Sequence, residues 1–424
     1  MVGAGVIGVT SAWYLRREGF DVTVLERGAD VAIEASAANA GVIAPGYVTP
    51  WAAPGMALRV LRMALSARAP IVFRPRASLA QWRWAARWLR ECDAARYAVN
   101  KQRMRRLAAY SRLELHALRD ALRIEYGASA GYLQLLRTAA DRARAEGALA
   151  VLREAGVDYR ELDAAGCCAV EPALALRRAP LHAGIHLPED EAGDCARFTQ
   201  ALRARCEAAG VRFLFDHAVE AIETRGRGTR RVGSIAVRAA GAAARRLRAD
   251  RYVLAAGVDS APLAASAGVA LPLYPVAGCS ITVPIEREAC APRGALMDEA
   301  NKTAIVRMGG SLRVAGLAEV SGWNPPLREA AVAGLRGVLA DWFGLAGPAH
   351  GAPGWIGRRP MTPDGAALLG PTPVADLLLN VGHGSTGWAM ACGSGAAVAA
   401  LAAGRAPAID LAGLTLARYG RAAA

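Results

Sequence analysis

Gly3-Ala4-Gly5-Val6-Ile7-Gly8 forms a G-x-G-x-x-G at the head of the chain, followed by the helix-like run Val9 to Arg17, then Gly19, then Asp21-Val22-Thr23-Val24-Leu25-Glu26. In this order the residues read as the start of a dinucleotide-binding βαβ unit. Gly3 serves the tight turn, Gly5 lets the backbone approach a pyrophosphate, and Gly8 lets the helix pack closely on the strand. The helix N-terminus turns unpaired N–H groups toward the phosphates. The whole of Val2 to Gly8 is therefore predicted to touch the cofactor. Gly19 suits the helix C-cap. Glu26 stands 18 residues after Gly8, close to the ~20 expected for the acid that takes ribose hydroxyls, with Arg27 beside it. A glycine-rich turn is the plainer reading of the six residues alone; the helix, the second strand and the acid favour the dinucleotide fold. A first strand normally brings about five residues into such a turn, and here only Met1 and Val2 precede Gly3. The expectation is that ladder hydrogen bonds go unmade and the cofactor is held weakly.

At 424 residues the chain exceeds one ordinary core, so two domains are expected. Apolar stretches are broken by charges or glycines before about 18 residues, which argues against a membrane span, and no signal peptide is recognisable ahead of the phosphate loop. The eight cysteines, at 92, 167, 168, 195, 206, 279, 290 and 392, form no C-x-x-C, and the chain has six histidines. No metal site is predicted, and reduced thiols in a cytoplasmic protein are. The formal charge of +14 comes almost entirely from arginine. Nucleic acid, an anionic membrane surface and an arginine-rich composition compete as explanations. No nucleic-acid motif supports the first. One segment supports the second: Arg59, Arg62, Arg68, Arg74, Arg76, Arg83, Arg87 and Arg90 are mixed with Trp82, Trp84 and Trp88, as in an interfacial helix, although tryptophans at such spacing also serve as core.

Further along, a loop of small residues and prolines, Ser36 to Gly55, leads into a helical stretch from about Ala77 to Tyr126. A strand is predicted at Gly131 to Leu136, and helices at Asp141 to Ala155 and Asp194 to Ala209, the second capped by Asp194. Strands are predicted at Val211 to Phe215, Val232 to Val237 and Arg251 to Gly257, and antiparallel strands within Pro272 to Pro284 and Ala304 to Leu317. Strand Leu377 to Val381, turn Gly382 to Ser385 and a small-residue helix to Ala403 repeat the opening logic. The predicted fold is α/β: a discontinuous Rossmann-type cofactor domain (1–76, 190–222, 245–265 and 350–424) with an inserted α+β substrate domain carrying an antiparallel sheet (77–189, 223–244 and 266–349).

Blocks running nearly end to end resemble a D-amino-acid dehydrogenase of the FAD-dependent D-amino-acid-oxidase superfamily. They include Ser36-Ala37-Ala38-Asn39-Ala40-Gly41, Ala44 to Tyr47, Pro50 to Gly55, Tyr110-Ser111-Arg112, Gly193-Asp194-Cys195 with Phe198-Thr199, Arg359 to Gly365, Leu379 to Gly384, and Gly387 to Gly395. Cys279 stands where the family usually has the tyrosine of its Gly-Tyr-Ser, and Ser385-Thr386 where Thr-Leu is usual. The resemblance implies FAD as cofactor and a D-amino acid as substrate, oxidised to an imino acid that water converts to a 2-oxo acid and ammonia. It also implies a quinone-type electron acceptor, with the protein cytoplasmic or peripheral on the inner face of the cell membrane. An oxidase using oxygen, a dehydrogenase for D-proline or hydroxyproline, and a flavin-free binding protein are the rival readings.

Oxidation at Cα needs a two-electron acceptor over the C–H bond, a clamp for the carboxylate and a neutral amine. The planar fork of arginine suits the clamp. Arg359 matches the family position, and Arg358 is its rival. Gly382 to Ser385 precedes a helix of small residues, so backbone N–H groups of Gly384, Ser385, Thr386 and Gly387 can approach a ring edge and stabilise negative charge there. Ser385 is placed with the catalytic groups for that reason. His383 is placed there too, as part of a backbone turn beneath the flavin; hydride transfer from a neutral amine needs no base. Ser36, Asn39, Ala40 and Gly41 are assigned to the flavin by the resemblance, as are Val219 beside the adenine and Ala256 and Gly257 after the strand.

Overall fold

The computed structural model describes residues 1–63, 71–154, 156–226 and 228–420, without the side chains of 61–63. The parallel strands required by the opening motif form one sheet system. Thr23–Leu25 pairs with Arg212–Leu214, and Tyr252–Leu254 pairs with Leu377–Val381, which Leu368–Pro371 flanks antiparallel. Val2 joins the two groups by bridging Leu25 on one side and Leu254 on the other. Its N–H donates to Val253 at 2.9 Å and its carbonyl accepts from Ala255 at 2.9 Å, while Gly3 donates to Leu25 at 2.8 Å and Leu25 donates to Met1 at 2.9 Å. The expected loss of ladder bonds is thus not seen at these residues, because the neighbouring strands are themselves only three residues long in this region.

Helix Val6–Arg17 packs against the terminal helix Gly387–Ala402, which is buried over nearly its whole length. The small residues make this contact: a Cβ on Gly395 would lie 3.0 Å from the backbone of Thr10 and Ser11. The predicted helix at 194–209 forms as Cys195–Ala208, with the Asp194 carboxylate accepting from Ala196 and Arg197.

The second system is a large mixed sheet. Its order is Gly354–Met361, Tyr274–Pro284, Ser311–Val320, Thr303–Met308, Ala295–Asp298, Ser129–Leu136, Ala183–Ala192 and Val42–Ile43. Ile71–Phe73 pairs with Ser311–Val320, and helix Glu329–Phe343 covers apolar residues of the sheet.

The antiparallel strands expected within 304–317 form as a hairpin turned at Gly309-Gly310. Three expectations are corrected. The helical stretch 77–126 is two helices, Leu79–Glu91 and Ala94–Leu122, because Asp93 turns to cap the second by accepting from Ala95 and Arg96. Residues 223–244, assigned to the inserted domain, belong to a sheet of His217–Arg225, Arg231–Ala239 and Arg245–Leu247. Its Ile222, Val232, Ile235 and Val237 share a core with Val2, Leu254 and Leu379, so packing joins it to the cofactor half. The boundary at 350 also falls too early, since Gly354–Met361 is a strand of the mixed sheet paired with Tyr274–Pro284.

Candidate active site

A cavity of about 1320 Å³ is lined by residues from both sheet systems. The predicted residues Val2, Gly3, Gly5, Val6, Ile7, Glu26, Arg27, Ser36, Asn39, Ala40, Gly41, Val219, Ala256 and Gly257 line it, as do Arg359, His383, Gly384, Ser385, Thr386 and Gly387. Ala4 and Gly8 lie behind this wall. Ala4 is fully buried and its N–H donates to Glu26 Oε2 at 2.8 Å. A Cβ on Gly8 would overlap the Gly3 carbonyl oxygen, so this glycine serves the close approach of helix to loop.

Glu26 uses its other oxygen to accept from the Gly28 N–H at 3.0 Å, which fixes the carboxylate at the end of its strand. Arg27 forms ion pairs on the cavity wall with Glu34 and, at 2.9 Å, with Asp259. Ser36 Oγ accepts from the Val6 N–H at 3.1 Å, at the start of the first helix. Asn39 Oδ1 accepts from Gly41 at 2.7 Å. The mixed sheet holds this loop: Ser280 Oγ donates to the Ala38 carbonyl at 3.0 Å and Arg313 to the Asn39 carbonyl at 3.2 Å.

Arg359 carries the decisive geometry. Between Tyr274–Pro284 and Ser311–Val320 the register shifts at Ala277/Cys279, and Leu317 adopts φ +59°. Such a bulge frees carbonyls from the ladder. The Nη1 of Arg359 takes two of them, Ala277 at 3.1 Å and Leu317 at 2.9 Å. The guanidinium lies 5.5 Å from the ring of Trp51, and a Cβ on Gly278 would occupy its place. Burial lowers its pKa to about 10, with nearby Cys279 opposing the shift, so it stays a cation at neutral pH. Among the described residues it has no acidic partner. Arg358, its sequence rival, is answered by Glu34 at 3.2 Å. A cation partly withdrawn from water without a counter-charge is costly to hold, and an incoming carboxylate offsets that cost.

His383 is buried, its Nε2 meets no hydrogen-bond partner among the described residues, and burial lowers its pKa to about 3. It is a neutral part of the turn in which Gly382 and Gly384 both have positive φ, +77° and +57°. Ser385 is exposed toward the cavity ahead of helix Gly387–Ala402.

Sequence reasoning missed several lining residues: Trp51, Tyr47, Tyr97, Lys101, Tyr132, Gly278, Glu299 and Lys302. The rings of Tyr47 and Tyr132 meet tilted, with centroids 5.2 Å apart, and burial beside Glu299 holds both phenols protonated. One signal was available in composition. Of 51 basic residues only Lys101 and Lys302 are lysines, and both line this cavity.

The family model described as FAD dependent oxidoreductase (DAO) matches residues 1–401. The chain belongs to that family. It is 46% identical over 420 residues to the D-amino acid dehydrogenase of Bradyrhizobium diazoefficiens, covering 99% of this chain and 98% of that protein. It is 44% identical over 420 residues to the D-amino acid dehydrogenase of Granulibacter bethesdensis, covering 99% of each. Among solved structures the fold is similar to that of glycine oxidase from Geobacillus kaustophilus, with TM-score 0.73, 21% identity and 98% and 97% of the two chains covered. L-Amino acid deaminase from Proteus myxofaciens is similar at TM-score 0.72 and 15% identity, over 99% and 93%.

The cofactor of this FAD-dependent family fits the residues present. The glycine loop presents a helix N-terminus to the cavity, Glu26 has lone pairs left for hydroxyls, and a second helix N-terminus at Gly387 reaches the same cavity.

His383 gives a pH prediction. Below its ordinary value of 6.5 the unfolded chain takes up a proton that the folded chain refuses until about pH 3. Stability should therefore fall as pH drops through that window, by at most about 1.4 kcal/mol per pH unit from this group. His383→Asn is expected to flatten the fall of holoenzyme melting temperature between pH 6.5 and 4. An unaltered dependence would mean that the imidazole is protonated in the folded protein.

Proposed function

We propose that this oxidoreductase converts a D-amino acid to its imino acid, which water hydrolyses to a 2-oxo acid and ammonia, and passes the electrons to a quinone-type acceptor. One observation carries the reading: Arg359, held by two carbonyls and facing no acid among the described residues, stands on the same cavity as the phosphate loop and the Gly382–Gly387 turn. The names of the relatives support the D-amino acid as substrate.

FAD, when bound, supplies the two-electron acceptor for the Cα–H bond. Arg359 binds the substrate carboxylate through the edge of its fork that the two carbonyls leave free, and so fixes Cα. Trp51 packs on the guanidinium and limits its motion. The amine reacts in its neutral form, its lone pair forming the C=N bond as hydride leaves. His383, with its pKa lowered to about 3 by burial, is not the base that deprotonates it at neutral pH. The N-terminus of helix Gly387–Ala402, with the hydroxyls of Ser385 and Thr386, would offer hydrogen-bond donors to the bound cofactor. Val219, Ala256 and Gly257 would hold its adenine end, and Glu26 its ribose.

A peripheral membrane position supports the quinone reading. Helix Leu79–Glu91 turns Trp84 inward, its Nε1 donating to the Met361 carbonyl at 2.9 Å. It turns Leu79, Trp82 and Leu89 outward, 65%, 50% and 53% exposed. Arg83, Arg87 and Arg90 run beside this stripe with no ion pair among the described residues, the mixture of an interfacial helix. Arg74 and Arg76 are instead tied inward, to Glu319 at 3.2 Å and the Ser321 carbonyl at 3.0 Å. The side chains of Arg62 and Arg68 lie outside the described residues.

Arg359→Ala is expected to raise KM for every D-amino acid used by at least about tenfold, since truncating a charge-assisted pair costs about 1.5–3 kcal/mol or more. Arg359→Lys should recover part of this, and Arg358→Ala should leave KM within about twofold. Steady-state kinetics with a dye acceptor decide it, and the reverse order of the two alanine variants would move the clamp to Arg358. For the membrane reading, the protein should sediment with anionic vesicles at low salt and be released at high salt. Replacing Arg83, Arg87 and Arg90 by Gln together should abolish most of that sedimentation; full retention would return these arginines to ordinary solvated surface.

A further inference from the structure

Lys101 is 2% exposed, yet no acid among the described residues answers its charge, and Arg105, one turn along the same helix, adds a second cation. The other cations on the cavity wall are accounted for. Arg27, Arg144, Lys302 and Arg358 stand in ion pairs, Arg59 is only partly buried, and Arg359 faces the substrate carboxylate in the reading above. Burial has lowered the Lys101 pKa to about 8, so the ammonium is costly to keep where it is.

The surroundings of Lys101 describe what it waits for. Ala94, Tyr97, Ala98 and Lys101 form one stripe of helix Ala94–Leu122 along the cavity, spaced as residues of a single helix face are. The stripe is exposed at Ala94 and buried at Lys101. Met56, Ile71 and Trp51 add apolar side chains to the wall of the same cavity. Pro54 and Gly55, also on the wall, are exposed, whereas Lys101 is buried. From Trp51 and Ile71 an apolar cluster continues through Phe73, whose ring lies 5.7 Å from the exposed Trp82. The wall thus adjoins the outward stripe of Leu79, Trp82 and Leu89.

We propose that this lobe is the binding site of the electron acceptor, a lipid-soluble quinone whose ring lies between Tyr97, Ala98 and Trp51 and whose carbonyl oxygen accepts a hydrogen bond from Lys101. The proposal rests on the function proposed above. Oxidation of R–CH(NH2)–COO⁻ to R–C(=NH)–COO⁻ releases two electrons and two protons, and the quinone takes up both pairs to become the hydroquinone. The ammonium stabilises the negative charge that builds on the quinone oxygen before its proton arrives. A carboxylate on the substrate side chain is the competing occupant of the same cation, and the experiment separates the two.

The test uses purified holoenzyme, a short-chain ubiquinone and a small hydrophilic dye as alternative acceptors, and quenching of tryptophan fluorescence by the quinone with no amino acid present. Lys101→Met should lower the ratio of kcat/KM for quinone to kcat/KM for dye at least tenfold and weaken quenching similarly, with Lys101→Arg restoring part of both. Ala98→Trp, which fills the lobe without touching the charge, should do the same and carries the test if Lys101→Met fails to fold. A ratio and a quench titration that stay within twofold of wild type in both variants overturn the proposal. So does a loss confined to kcat/KM for amino acids with acidic side chains, which would give Lys101 to the substrate. If no D-amino acid is oxidised with any acceptor, the functional reading fails on its own; the quench titration still decides whether the quinone binds at Lys101.

Discussion

An arginine ion stands partly buried in the cavity wall with no acid to answer it among the described residues, and much of the architecture around it follows from that. Taking a guanidinium even partly out of water is costly. The fold meets part of this cost with two carbonyls, from Ala277 and Leu317, and with the face of Trp51. Those carbonyls are free only because the sheet is bulged there, with Leu317 at φ +59°. Gly278 is the residue over which the guanidinium can lie. The remainder of the cost is left for a ligand, and the ligand that suits a planar fork is a carboxylate.

The same sheet disciplines the cofactor loop. Ser280 and Arg313, on the two strands that make the bulge, bond the carbonyls of Ala38 and Asn39. A change that disturbs the bulge therefore disturbs both the anion clamp and the loop 36–41. This coupling ties the surroundings of Arg359 to loop 36–41 within one cavity.

The opening glycines, the second strand and Glu26 made the cofactor half legible, because each has a local reason that a short stretch of sequence displays. Asp194 as a helix cap, the strand Leu377–Val381 and the small-residue helix after it were legible for the same reason. Long-range pairing was not. Gly354–Met361 belongs to the mixed sheet because it pairs with Tyr274–Pro284, and 223–244 belongs with the cofactor half because its apolar face meets Val2 and Leu254. Neither fact is written in local periodicity. The break at Asp93 was within reach, since an aspartate there is a strong cap signal, but the helical pattern on both sides concealed it. At the site, Arg359 came from its motif and its preference over Arg358 from ion pairing, visible only in three dimensions. Lys101 and Lys302 had a compositional signal, two lysines among 51 basic residues, whose meaning depended on knowing that both line the cavity.

The most direct measurement of the central claim is a crystal structure of the FAD-bound protein soaked with the 2-oxo acid product of a substrate it turns over. The account places both carboxylate oxygens of that product on the guanidinium of Arg359, with the Ala277 and Leu317 carbonyls still bonded to its Nη1. A product carboxylate held elsewhere in the cavity, with Arg359 bonded to those two carbonyls alone, would contradict it.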